Sequence, residues 1–157
     1  MTDPADPEPR AGSEREAPRD HVARRFIEAL PHCRALSMTV LEVGDGRAVI
    51  AMPYDAALVG DPRTGVIHGG AVSALMDTTG GAAVLSHPTA PLATATIGLR
   101  IDYMRAATPG QAITARATCH HVTSAVAFVR AEAFDDEEGP VAVANGAFTL
   151  ERGRSGG

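Results

Sequence analysis

The sequence predicts an α+β fold in which an antiparallel sheet carries one long helix on one of its faces. Two observations lead to this prediction. Between residues 69 and 86 the apolar residues recur at helical spacing, whereas in the flanking segments they alternate with a period of two, as in strands. Short turn sequences such as GDG and ATPG join the strand-like runs, which favours hairpins and therefore antiparallel neighbours. With 157 residues, 45% of them hydrophobic, the chain can form one domain with a real core.

The two ends of the chain are predicted to lie outside this domain. Residues 1–20 contain four prolines and mixed charges with almost nothing to bury, which is typical of a disordered segment. Residues 152–157 are predicted to form a flexible tail. The folded domain is therefore assigned to residues 21–151.

The first element is predicted to be a short amphipathic helix. In the run HVARRFIEAL, Val22, Phe26 and Leu30 are spaced four residues apart, so they would share the face that packs on the core. Asp20 is a plausible N-cap before them, and Pro31 stops the helix.

Strands are predicted on both sides of the central helix. The runs ALSMTVLEV and RAVIAM form a first hairpin, and PYDAALVGDPRTG is predicted to be a loop. Four strands follow the helix, beginning near Thr94 and continuing through QAITARATCHH, SAVAFVRAEAF and VAVANGAFTL. Strict alternation places Thr96 on the polar face of the first of these strands. Its apolar face would carry Ala95, Ile97, Leu99, Ile101 and Tyr103.

The central helix is predicted to run from about Gly69 to Ser86, with an acid near its middle. Its apolar stripe comprises Val72, Leu75, Met76, Thr79 and Ala83. Small residues, Ser73, Gly80 and Gly81, flank Asp77 on the other side. A single sheet covers one face of this helix only, so a second subunit is the natural cover for the side that carries Asp77.

Composition and motifs exclude several functions. The net charge is −5 with no block of lysine or arginine, which argues against nucleic acid as a partner, and no apolar run has the length of a membrane span. Cys33 and Cys119 show neither metal spacing nor a disulfide framework, which favours the reducing cytoplasm as the location. HExxH and GxSxG motifs are also lacking, so no metal site or serine triad is predicted.

The segment GVIHGGAVSALMDTTGGAAV, followed by TIGLRIDYMRAATPG, resembles the hotdog-fold acyl-CoA thioesterases of the phenylacetate (PaaI-like) type. The resemblance covers about residues 35–150. It implies an antiparallel sheet wrapped around one long central helix, and hydrolysis of small or medium acyl-CoA thioesters to free acid and coenzyme A. No separate cofactor is implied, because coenzyme A is part of the substrate.

The resemblance also implies roles for individual residues. Asp77 matches the family's acid, which acts as general base on water or as nucleophile, and Gly69 supplies the backbone N–H that polarises the thioester carbonyl. Physical reasoning supports the second role, because the first N–H groups of a helix lack partners and lie at the positive end of its dipole. His68 and Gly70 are expected to shape this substrate-binding loop.

Two further residues are candidates for the site. Thr96 matches a hydroxyl position that other members use, and it can orient the attacking water. Arg63, like Arg105, can pair with the phosphates of coenzyme A, although a surface position is the commoner role of an arginine.

Helix geometry predicts that the site is shared between subunits. Gly69 and Asp77 are eight residues apart, about 12 Å along a helix axis at 1.5 Å per residue, so one helix cannot easily present both to one carbon atom. Two antiparallel helices can, with Gly69 of one chain facing Asp77 of the other. We therefore expect a homodimer, which can pair again into a homotetramer, with the acyl-CoA substrate as the other partner.

Two departures from the family pattern keep other functions open. Pro62 stands where relatives usually carry an asparagine or glutamine, and Gly81 stands where some carry a hydroxyl. The alternative is a non-catalytic acyl-CoA-binding or regulatory protein on the same fold. A hotdog dehydratase or hydratase is the other alternative, although His68 and Asp77 do not form its usual pair.

Overall fold

The computed structural model describes residues 18–89 and 91–152. Of the segment 1–20, for which we predict disorder, only residues 18–20 are described, and they already belong to a helix. Residues 1–17 and the predicted tail from residue 153 onward lie outside the described residues.

The helices and strands follow the predicted order, with short additions between them. The elements are α1 (Pro18–Ala29), α2 (Pro31–Ala35), β1 (Thr39–Gly44), β2 (Arg47–Met52), β3 (Val59–Asp61), β4 (Val66–Ile67), α3 (Gly69–Leu85), β5 (Thr96–Tyr103), β6 (Ile113–Val122), β7 (Val126–Phe134) and β8 (Ala142–Thr149). The segment predicted as a loop contains a short 3₁₀ helix, Ala56–Leu58, and β3, which pairs antiparallel with β4 directly after the segment. That part of the loop prediction is wrong, because the tight turn after Asp61 lets the two short strands pair.

The large sheet is antiparallel and packs against α3. Within the described residues it has six strands in the order β1-β2-β6-β7-β8-β5. The predicted apolar stripe of α3 is confirmed, since all five of its members are buried: Val72, Leu75, Met76, Thr79 and Ala83. Gly80 lets the helix approach the sheet, because a Cβ there would lie 2.8 Å from the Phe148 ring. Among the described helices, none has the length and hydropathy needed to cross a membrane.

Helix α1 packs on the molecule with a different face from the one predicted. Ala23 and Ile27 are buried, whereas Val22 is 66% exposed and Phe26 is 55% exposed. The helix also begins at Pro18, so Asp20 lies in its first turn and is not the N-cap. Leu30, the third member of the predicted stripe, is partly buried against the core. The stripe is wrong for Val22 and Phe26, because α1 lies against β1 and α3 through the row one residue further along, which the spacing alone could not distinguish.

A buried ion pair holds the loop after β5 to the end of β7. The Asp135 carboxylate is fully buried and accepts hydrogen bonds from Arg105 and from the backbone N–H groups of Thr108 and Glu137. The Arg105 guanidinium beside it holds the pKa of Asp135 far below its usual range. Arg105, which the sequence analysis considers as a ligand for the phosphates of coenzyme A, thus makes a structural contact that fixes the loop at the Tyr103 end of β5.

Candidate active site

Asp77 lies near the middle of α3, half-buried, with its carboxylate directed towards the start of β5. Its Oδ1 accepts a hydrogen bond of 2.7 Å from the Thr96 hydroxyl. Its Oδ2 makes no hydrogen bond to any of the described residues, so this oxygen is available to a water molecule. The structure thus brings together two residues that the sequence proposed for the site.

The N-terminus of α3 offers one free backbone donor. His68 is the N-cap, and its Nδ1 accepts the Gly70 N–H at 2.8 Å, while its carbonyl accepts the Ala71 N–H at 3.0 Å. The His68 backbone N–H is itself bonded to the Leu58 carbonyl at 2.8 Å. The Gly69 N–H has no acceptor within residues 18–89 and 91–152, so it alone of these groups can bind an incoming oxygen.

Two side chains that the sequence analysis did not assign to the site surround Gly69. Tyr103, the last residue of β5, donates its hydroxyl to the Gly69 carbonyl at 2.7 Å. The Ser73 hydroxyl lies 2.6 Å from the Tyr103 hydroxyl and 3.1 Å from the same carbonyl. The only sequence signal for this cluster is that Ser73 follows Gly69 by four residues and so lies on the same side of the helix.

A β-bulge explains why both ends of β5 contact α3. Strict alternation predicts that Thr96 and Tyr103 point to opposite faces, yet both hydrogen-bond to residues of α3. The pairing of β5 with β8 shifts register between Thr96 and Gly98, and the extra residue, Ile97, is 57% exposed. An inserted residue reverses the alternation between its two sides, so the predicted face is wrong for Thr96 and Ile97, whereas Leu99 and Ile101 pack against the core as predicted.

Arg63 lies apart from the Asp77 carboxylate. It is in the turn between β3 and β4, where its Nε lies 3.3 Å from the Asp61 Oδ1, and its side chain is 90% exposed. Pro62, beside it in the same turn, is also exposed. Neither residue lines the cavity next to Asp77.

That cavity has a volume of about 690 Å³ and lies between α1, α3 and the segment before β5. Asp77 and Thr96 lie in its wall. Across the part of the chain that the structure describes, no three histidine, cysteine or acidic side chains are grouped to hold a metal ion. The groups that this region offers are the Asp77 carboxylate, the Thr96 hydroxyl and the Gly69 backbone N–H.

Comparisons with known proteins agree with this arrangement. The sequence model of the thioesterase superfamily matches residues 64–142, which include Gly69, Asp77 and both ends of β5. A Halobacterium salinarum protein whose name records an inferred esterase activity is 36% identical over 126 residues, covering 74% of this chain and 82% of its own.

Two solved structures show the same fold. A Pseudomonas aeruginosa protein is 40% identical, covers 84% of this chain and 98% of its own, and superposes with a TM-score of 0.74. A variant of the phenylacetic acid degradation protein PaaI from Thermus thermophilus is 28% identical, covers 77% and 99% of the two chains, and has a TM-score of 0.69. The predicted hotdog fold, an antiparallel sheet around a central helix, is confirmed.

The chain belongs to the thioesterase superfamily. The resemblance to PaaI-like thioesterases that the sequence motifs indicate is thereby confirmed as well. Membership of this superfamily supports the hydrolysis of thioesters in general as the activity.

Proposed function

We propose that the protein hydrolyses small or medium acyl-CoA thioesters to the free acid and coenzyme A, at sites that two subunits complete together. One observation supports this proposal above the others. The two groups that the reaction needs, the Asp77 carboxylate and the Gly69 backbone, are held at opposite ends of the edge strand β5. Thr96 hydrogen-bonds to Asp77, and Tyr103 hydrogen-bonds to the Gly69 carbonyl.

Strand β5 is suited to pairing with a second copy of the chain. Among the described residues no strand pairs with its outer edge, and it is eight residues long with Ile97 and Tyr103 exposed. A long, apolar edge strand is a template for another strand. Two copies related by a two-fold axis through the middle of β5 would run antiparallel, with Thr96 of one opposite Tyr103 of the other. Asp77 of one subunit would then face Gly69 of its partner.

The proposed reaction follows from those groups. The Gly69 N–H, at the positive end of α3, donates to the thioester oxygen as negative charge develops on it. Asp77 takes a proton from water while the water oxygen bonds to the carbonyl carbon. The intermediate then expels the coenzyme A sulfur, which leaves as the thiol with the proton that Asp77 returns. Thr96 keeps Oδ1 occupied so that Oδ2 faces the water. Water and the thioester are the only reactants.

Thiol release from a panel of acyl-CoA thioesters tests the activity. The panel should include phenylacetyl-CoA, because a structural relative is a phenylacetic acid degradation protein. We expect turnover with at least one member and a loss of about 10²-fold or more in Asp77→Asn, as for other general bases. Binding without turnover at every chain length would favour the non-catalytic alternative.

Subunit complementation tests the shared site. When Asp77→Asn and Gly69→Pro chains are co-expressed, a mixed dimer has one site with both changes and one site with neither. Random pairing makes half of the dimers mixed, so we expect about a quarter of the wild-type activity to return, far above either variant alone. Unrestored activity in purified mixed dimers would show that each subunit works alone.

A further inference from the structure

We infer that the cavity between α1 and α3 binds the acyl chain, and that it selects uncharged chains of medium length over short chains and over chains ending in a charge. This inference rests on the proposed function and deepens it. It also gives α1 a role in the choice of substrate that the motifs around Asp77 do not indicate.

The cavity is continuous with the proposed catalytic groups. Its volume of about 690 Å³ is in the range of small-molecule pockets, roughly 300–1,000 Å³. Asp77 and Thr96 lie in its wall, so a carbonyl placed beside Asp77 would extend its chain into the cavity. Its other walls are mainly apolar, and they come from Val22, Phe26, Leu85, Leu92 and Phe148, among others.

Exposed apolar side chains cluster around this cavity. Val22 is 66%, Phe26 55% and Leu92 72% exposed, and all three line it. Val22 and Phe26 belong to the row of α1 that the sequence predicts to be buried, whereas the core takes Ala23 and Ile27. An apolar ligand in the cavity would cover the row that the core leaves exposed.

Gly81 provides an independent argument. A Cβ at this position would find its nearest atoms 4.0 Å away, on Phe148 and Thr94, so packing does not require glycine here. Glycine inside a helix destabilises it by up to about 1 kcal/mol relative to alanine. Gly80, its neighbour, is explained by contact, because a Cβ there would clash with the Phe148 ring. Glycine at position 81 therefore keeps the cavity wide beside Asp77.

The lining also determines which chains are favoured. Asp77 is the only charged residue among the described residues of the cavity wall, and it is an anion. A carboxylate at the far end of an acyl chain would therefore lose its water without gaining a partner. Each methylene that enters the cavity should raise kcat/KM about fourfold, equivalent to about 0.8 kcal/mol per buried CH₂.

The test compares acyl-CoA thioesters that differ only in the chain. We expect wild-type kcat/KM for octanoyl-CoA to exceed that for butyryl-CoA by up to about 200-fold, four methylenes at about 0.8 kcal/mol each. Suberyl-CoA, of the same length with a terminal carboxylate, should react at least about tenfold more slowly than octanoyl-CoA. Equal kcat/KM for all three would overturn the inference.

Variants locate the selectivity in this cavity. Gly81→Leu places a side chain inside it and should reduce the octanoyl-to-butyryl ratio at least tenfold. Phe26→Ala, on the exposed row of α1, should reduce the ratio about fivefold and keeps the protein testable if Gly81→Leu does not fold. Arg25→Ala, next to it but outside the cavity wall, is the matched control and should leave the ratio unchanged. An unchanged ratio in folded Gly81→Leu or in Phe26→Ala refutes the inference.

A binding measurement separates this inference from the proposed function. A thioether analogue of octanoyl-CoA, which cannot be hydrolysed, is titrated calorimetrically into the wild type, Gly81→Leu and Arg25→Ala. The butyryl analogue is titrated in the same way. If the wild type binds the octanoyl analogue more tightly than the butyryl analogue, and Gly81→Leu abolishes this difference, the pocket is supported even if no thioester is hydrolysed. Turnover of thioesters with no such difference would support the proposed function and reject the pocket.

Discussion

Replacement of Gly69 by proline would remove the proposed oxyanion donor while leaving α3 able to form. Proline lacks the backbone N–H, and it is favoured at the first position of a helix, which is where Gly69 lies. The residue before a proline must be extended, and His68 already is, with φ −60° and ψ 134°. A Cβ at position 69 would lie 3.4 Å from the Tyr103 ring, which is ordinary contact.

The size of the effect follows from the single free donor. Removal of one such hydrogen bond to a developing oxyanion costs about 10²–10³ in kcat, or roughly 2.7–4 kcal/mol. The neighbouring Gly70 N–H cannot substitute, because the His68 side chain accepts it. We therefore expect Gly69→Pro to lose at least about 10²-fold in kcat, whereas Gly69→Ala, which keeps the N–H, should stay within about fivefold of the wild type.

Thiol release from the best acyl-CoA substrate measures both variants. Thermal unfolding, followed by circular dichroism, checks that each is folded, and size-exclusion chromatography checks that each has the oligomeric state of the wild type. Equal kcat values for folded Gly69→Pro and Gly69→Ala would refute the reasoning, because only Gly69→Pro lacks the backbone N–H that it requires.

Three other perturbations test the contacts around the site. Thr96→Val keeps the shape but loses the hydrogen bond to Asp77, so kcat should fall about tenfold, the lower range for a bond to a charged group, and Thr96→Ser should restore it. Asp135→Asn removes the anionic partner of Arg105 and should lower the free energy of unfolding by about 3 kcal/mol at neutral pH in a denaturant titration. The folded-state pKa of Asp135 is depressed, so its contribution to the free energy of unfolding is complete above the unfolded pKa of about 4 and is lost as the pH falls further. The difference in this free energy between the wild type and Asp135→Asn should therefore shrink in acid. A difference that stays constant would contradict this expectation. Ile97→Asp would place a carboxylate opposite the partner's Asp102 in the proposed pairing, so it should shift sedimentation towards a monomer with less activity, whereas an intact active dimer would exclude pairing through this edge.

The sequence by itself determined the central helix and the strands around it. The boundaries of the central helix, Gly69 to about Ser86, follow from a glycine pair at one end and a proline soon after the other end. Its apolar stripe from Val72 to Ala83 follows the helical repeat of 3.6 residues. The period-two run Ile113, Ala115, Ala117 and Cys119 is buried as the alternation indicates. Such patterns are local, because each position needs only its near neighbours to define its face.

The tertiary structure decided the surroundings of Asp77. The bulge at Ile97, which brings Thr96 to Asp77 and Tyr103 to Gly69, depends on how β5 pairs with β8, nearly fifty residues later in the chain. The choice between the two apolar rows of α1 depended in the same way on distant surfaces, since Val22 and Ala23 lie on rows of similar spacing. Periodicity gives the spacing of a row and carries no information on which neighbour will cover it, because that contact forms only when separate elements pack.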